Sequence, residues 1–118
     1  MDVEAARTRL VAQRDDVSAS LSRLSERLEQ PQGESGGELS LTDQHPADAA
    51  TETQQRELDL TRGRALELEL ADVGKALERI EKGTYGRCVV CGQEIPAERL
   101  EALPQTAFCV RDAAREQA

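Results

Sequence analysis

The residues best equipped for chemistry are Cys88, Cys91, Cys109 and Asp112, spaced as Cys-x2-Cys-x17-Cys-x2-Asp. Two close pairs separated by a loop of this length are what a tetrahedral zinc site needs: each pair makes a tight knuckle, and the loop brings the knuckles together. Gly92, directly after Cys91, suits the positive φ at which such a knuckle turns. A carboxylate oxygen is an acceptable zinc ligand, although harder and usually weaker than a thiolate. The spacing therefore predicts one structural Zn2+ in a Cys3Asp site. One alternative is a finger that has lost its metal and holds together by packing, leaving three free thiols. A disulfide framework fits less well, because the cysteine count is odd and nothing marks the chain for secretion. A catalytic zinc would need an open coordination position, a pocket and a nearby general base. No such constellation is visible, and no enzymatic activity is expected.

A second set of residues carries charge alone. Between Arg27 and Arg56 there is no Lys or Arg, while Glu29, Glu34, Glu38, Asp43, Asp48 and Glu52 fall in that interval. Elsewhere the signs alternate, as on a solvated helix face.

Two helices must position these groups. From about residue 2 to 30, Val3, Leu10, Val17 and Leu24 recur every seven residues, with Leu21 and Leu28 beside them, which predicts a helix with one apolar seam. Arg7 and Arg14 sit at companion seam positions, so another part of the chain is expected to cover that end. Residues 31–45, with Pro31, Gly33, Gly36, Gly37 and Asp43, form a linker. A second helix over 46–82 starts at Pro46, whose missing N–H costs nothing in a first turn, and carries Leu66, Leu70, Val73, Leu77 and Ile80 toward a stop at Gly83. At 1.5 Å per residue it would be about 55 Å long. Two striped helices joined by a linker bury their seams most simply against each other. Pairing between two copies is the alternative; a monomer is expected.

The fold expected is thus mainly α: a long antiparallel coiled-coil helical hairpin over 1–83, then a small C-terminal zinc finger over 84–118 with a short terminal helix starting near Cys109. Tyr85, Ile95, Leu100, Leu103 and Phe108 would make a miniature core around the metal, with Leu100 and Leu103 also packing on the first helix. Bulk composition agrees. In 118 residues only Tyr85 and Phe108 are aromatic and 32% are charged, which is too little bulky filler for a large globular core. A net charge of −8 argues against nonspecific nucleic-acid binding, which depends on Lys and Arg neutralising phosphates. No stretch approaches a membrane span, so a cytoplasmic protein is expected. In the hairpin the acidic interval becomes a tip held away from the rest, which suits delivery of negative charge to a basic or metal-containing cavity of a partner. The plainer alternative is a soluble linker.

The acidic-tipped hairpin, Gly83-Thr-Tyr-Gly86-Arg-Cys88-x2-Cys91-Gly92, Ile95-Pro96-x2-Arg99-Leu100-Glu101-Ala102-Leu103-Pro104 and Cys109-x2-Asp112 together resemble the DksA/TraR family of bacterial transcription regulators. The stretch from Asp43 to Glu52 looks most like its YteA-type branch. The similarity covers about residues 38–115. It implies a protein that binds RNA polymerase directly rather than DNA, passes its hairpin through the secondary channel toward the catalytic Mg2+, and changes the lifetime of promoter complexes. The family's tip motif is Asp-x2-Asp-x-Ala. Asp48 and Ala50 match its second Asp and its Ala, and His45 stands where the first Asp would be. Asp48 is then the acting carboxylate and Ala50 a small contact residue, with Asp43 a nearby substitute out of register. Taken alone, Asp48 could equally be a helix-dipole partner in the first turn, and His45 a solvated turn residue. Asp112 replaces the family's fourth cysteine. Where family members that bind the alarmone ppGpp with polymerase carry basic residues, this chain has Asp72, Leu103 and Ala113, which implies weak or absent ppGpp synergy.

Two rivals remain distinguishable. A zinc-ribbon nucleic-acid binder would need a basic finger, yet Arg87, Arg99, Arg111 and Arg115 are offset by Glu94, Glu98, Glu101, Asp112 and Glu116. A thiol redox-sensing interaction module using Cys88 and Cys91 would release its metal readily and reversibly under oxidants.

Overall fold

The structure, a computed structural model, describes residues 2–29 and 46–117, with 46–50 and 116–117 described by their backbone alone. Asp43 and His45 lie outside the described residues. The helices are α1 (Val3–Glu29), α2 (Pro46–Lys82), α3 (Ala97–Ala102) and α4 (Val110–Gln117). The only other regular pairing among the described residues is an isolated antiparallel bridge between Arg87 and Glu94. No described helix is long and apolar enough to cross a membrane.

Local chemistry sets the helix ends. The Asp2 carboxylate accepts the Ala5 N–H at 3.1 Å and so caps α1. At the far end of α2, Gly83 takes φ +76°. Its N–H reaches the Ile80 carbonyl at 3.2 Å, while the Thr84 N–H reaches the Arg79 carbonyl at 2.8 Å. This paired closure is the Schellman motif, and it needs a residue free to adopt a left-handed conformation.

The chain forms two compact units, Met1–Val17 with Leu68–Ala118, and Ser18–Glu67. In the first, α1 and α2 run antiparallel: Arg7 donates to Glu81 at 2.9 Å and Gln13 to Glu69 at 3.2 Å. Between these rungs Leu10, Val73, Ala76 and Ile80 make a buried cluster, with Leu77 and Tyr85 packed on it. Full burial of a Leu or Val side chain contributes about 1.5–3 kcal/mol, so this short seam is the main adhesive of the unit. Arg7, expected to weaken the seam, instead lies half-buried and paired. Arg14 is exposed beside Asp15.

In the second unit the two helices are again antiparallel. Leu24 is buried, and its Cδ2 lies 3.4 Å from where a Cβ on Gly63 would stand. The buried Asp59 carboxylate accepts from Arg27 at 2.8 Å and from Gln55 at 3.0 Å. Arg56 donates to the Leu28 carbonyl at 3.0 Å.

The finger's core is smaller than the sequence suggests. Cys88, Ile95 and Leu100 are buried together, with Tyr85, Cys91 and Cys109 against them. Phe108 is half-buried, and Leu103 is 42% exposed. Both leucines nevertheless face α1 across grooves, Leu100 with Ala5, Ala6 and Arg9, and Leu103 with Ala12, Gln13 and Val17. Leu100 joins the finger's core, and a polar tie to α1 runs from the Arg9 guanidinium to the Glu101 carbonyl.

Candidate metal centre

Each ligand is set by its own turn. Gly86 and Gly92, at φ +91° and +76°, bend the chain on either side of the first knuckle. Between them the Cys88 N–H donates to the Gln93 carbonyl at 2.8 Å, and the Gly92 N–H to the Cys88 carbonyl at 2.9 Å. The Ile95 N–H reaches the Gly86 carbonyl at 2.8 Å, closing a narrow hairpin around the Arg87–Glu94 bridge. The second knuckle is the start of α4: Cys109 precedes its first residue, and the Ala113 N–H donates to the Cys109 carbonyl at 2.9 Å. Asp112 falls in the first turn, where the helix dipole favours a carboxylate. A bond from the Val89 N–H to the Ala107 carbonyl, 2.9 Å, ties the knuckles together.

The result is a cluster in which the ligand atoms of Cys88, Cys91, Cys109 and Asp112 all lie within 4.8 Å of one another. Cys91 Sγ and Cys109 Sγ are 3.9 Å apart. Asp112 Oδ2 lies 3.0 Å from Cys88 Sγ and 3.2 Å from Cys109 Sγ. Sulfurs held at about 2.3 Å from a tetrahedral zinc would be about 3.8 Å apart, and a carboxylate oxygen about 3.5 Å from each sulfur. The four side chains fit such an ion with small adjustments. Asp112 is 1% exposed, yet the Cys88 and Cys109 thiols, donating to its carboxylate, hold its pKa down to about 2. A buried carboxylate that stays ionised is a ready metal ligand. Its other oxygen, Oδ1, is buried without a hydrogen-bond partner. Arg111 Nε and Arg115 Nη1 stand 4.0 Å from it.

The remaining sequence candidates fall elsewhere. Asp48 and Ala50 lie in the N-terminal part of α2, described by backbone alone. Asp72, Leu103 and Ala113 do come together, lining one cavity with Lys75, Arg79 and Arg99. Of the three cations, Lys75 and Arg79 escaped sequence reading, although their four-residue spacing puts them on one helix face. Two are committed to backbone: Arg79 donates to the Gln105 and Thr106 carbonyls at 3.4 and 3.3 Å, and Arg99 to Phe108 at 2.9 Å.

Comparison with known proteins converges on one group. Residues 83–117 match the family model of the prokaryotic dksA/traR C4-type zinc finger. The chain is 52% identical over 71 residues to the uncharacterized protein YteA of Bacillus subtilis, a match covering 60% of this chain and 30% of YteA. It is 36% identical over 66 residues to the RNA polymerase-binding transcription factor DksA of Haemophilus influenzae, covering 55% of this chain and 45% of that protein. The chain thus spans less than half the length of either. The structure of transcription factor DksA2 from Pseudomonas aeruginosa superposes with a TM-score of 0.72 at 25% identity, over 98% of this chain and 82% of the other. Asp112 departs from the four-cysteine pattern in the family's description, but residues 83–117 carry the zinc finger of the DksA/TraR family, and the fold of the chain is similar to that of DksA2.

Proposed function

We propose that this chain is a non-enzymatic bacterial transcription regulator that binds RNA polymerase directly and inserts its acidic α1–α2 connection into the enzyme's secondary channel, modulating promoter-complex lifetime. The observation that carries this reading is the antiparallel pairing of α1 and α2 in the Ser18–Glu67 unit, joined by an interval with no Lys or Arg from residue 28 to 55. A partner cavity holding a catalytic Mg2+ attracts such a segment by charge complementarity. Similarity to RNA polymerase-binding DksA proteins supports the partner. In this reading residues 1–83 are the lever and 84–118 the finger that braces its base. Asp48 is the acting carboxylate, Ala50 a small contact, and His45 and Asp43 flank them. One structural Zn2+ is held by Cys88, Cys91, Cys109 and Asp112, acting in a cytoplasmic monomer without sequence-specific DNA binding. Weak or absent ppGpp synergy belongs to this reading through Asp72, Leu103 and Ala113, while Lys75, Arg79 and Arg99 in the same cavity wall count against it.

The test is crosslinking from a photoreactive group at residue 48 in the presence of the host's RNA polymerase. Crosslinks to secondary-channel elements are expected, and Asp48→Asn should then weaken the effect on transcription about tenfold or more, as for loss of a charged contact at the centre of an interface. Absence of crosslinks at saturating protein would sink the reading. The second reading is a thiol redox-sensing module using Cys88 and Cys91; the 3.9 Å approach of Cys91 and Cys109 fits it no better than it fits a shared zinc ion. Crosslinks from the finger rather than residue 48, lost on oxidation, would select it.

A further inference from the structure

The two oxygens of Asp112 are treated differently. Oδ2 faces the sulfurs of Cys88 and Cys109, where a metal would be shared. Oδ1 is buried with no hydrogen-bond partner, a costly state for a carboxylate oxygen. Among the described residues, the cations within ion-pair range of Asp112 are Arg111 and Arg115, each 4.0 Å from Oδ1. That is about 1 Å beyond a charge-assisted hydrogen bond. Their side chains are 62% and 73% exposed, so nothing locks them where they stand.

Charge gives this approach a purpose. Three thiolates and a carboxylate around a dication leave two negative charges in a site where Cys88 and Asp112 are almost fully buried. Buried charge of one sign needs a compensating cation. Ligating carboxylates are also commonly fixed by hydrogen bonds to the oxygen that does not bind metal. Resting on the zinc-site reading above, we propose that Arg111 and Arg115 are positioning residues for the metal: their guanidinium groups close on Asp112 Oδ1, hold the carboxylate to the ion through Oδ2 alone and offset the site's surplus charge. A cysteine at this position has no second ligand atom for a guanidinium to hold. The arginine pair is therefore the counterpart of the aspartate, and its effect depends on the aspartate being there.

That dependence is the test. Zinc affinity of the full chain is measured by competition with a chromophoric chelator, with Arg111→Gln and Arg115→Gln made together in the native and in the Asp112→Cys backgrounds. Loss of an outer partner of a metal ligand costs about 10–100-fold in affinity, and that loss is expected with Asp112 present. With Asp112→Cys the same two substitutions should change affinity by less than about threefold, because the coupled oxygen is gone. Co2+ substitution supplies a readout that a general loss of stability does not move: removing the arginines should shift the visible ligand-field bands only when Asp112 is present. Equal losses in both backgrounds, or no loss with Asp112, would overturn the proposal. A wild-type chain that takes up no zinc overturns the metal site itself, a different result from normal uptake that ignores the arginines.

Discussion

Tyr85 is the side chain on which two clusters meet. It packs on Leu10, Val73, Ala76 and Ile80 and also on Cys88, Ile95 and Leu100. Its hydroxyl donates to the Pro104 carbonyl at 2.9 Å, anchoring the segment between α3 and the second knuckle. Burial pushes its pKa up, partly countered by Arg79 and Arg9, so it remains a protonated donor at neutral pH. Tyr85→Phe keeps the packing and removes one hydrogen bond, a loss of about 1 kcal/mol. Tyr85→Ala opens both clusters and should cost about 3 kcal/mol or more. Urea unfolding followed by circular dichroism checks both values. If Tyr85→Ala proves as mild as Tyr85→Phe, the clusters do not depend on the ring.

Among the helices, two glycines of α2 and its end make opposite predictions. Gly74 sits in mid-helix, where an added Cβ meets nothing within 4 Å. Gly74→Ala should therefore stabilise the protein by about 0.5–1 kcal/mol, through helix propensity and reduced freedom of the unfolded chain. Gly83 holds φ +76° at the Schellman closure, and Gly83→Ala should destabilise by about 1–2 kcal/mol although it too has open space around it. Thermal unfolding midpoints that move in the same direction for both would refute the argument. The seam between the helices was partly legible. Leu10, Val17 and Leu24 recur at a coiled-coil period and are buried. The α2 side was harder, because its line of contact runs through Asp59 and Ala76, while Leu58 and Leu60 stand 63% and 42% exposed. A small residue and an acid do not announce themselves in a hydropathy pattern, yet the acid is admitted because Arg27 and Gln55 meet it.

At the scale of the whole molecule, the two units draw on different sources of stability. The finger's buried cluster is three side chains, one of them a metal-ligand candidate, whereas the described residues of the Ser18–Glu67 unit hold no such cluster of ligand candidates. Chelation should therefore unfold the finger and spare that helix pair. Limited trypsin digestion reads this directly. Cleavage after Arg87, Arg99 and Arg111 should accelerate about tenfold or more on chelation, and cleavage after Arg23 and Arg62 should change little. The clustering of Cys88, Cys91, Cys109 and Asp112 was legible because three cysteines in one spacing are rare signals in a chain otherwise poor in them. Arg111 and Arg115 were not, since charges of mixed sign on a short helix look like a solvated face until the oxygen beneath them is seen.

The Arg27–Asp59 contact has one more consequence. Sliding one helix past the other by a single turn moves every residue about 5.4 Å, and a smooth apolar seam would tolerate that slip. A buried acid does not: displaced from its cation, it is left as an uncompensated charge, at a cost of about 3–5 kcal/mol for a well-buried pair and less where the partner is solvated, as Arg27 is. The helix pair is thus a ratchet stopped at one tooth, with its register held by a salt bridge as well as by the buried leucine beside it.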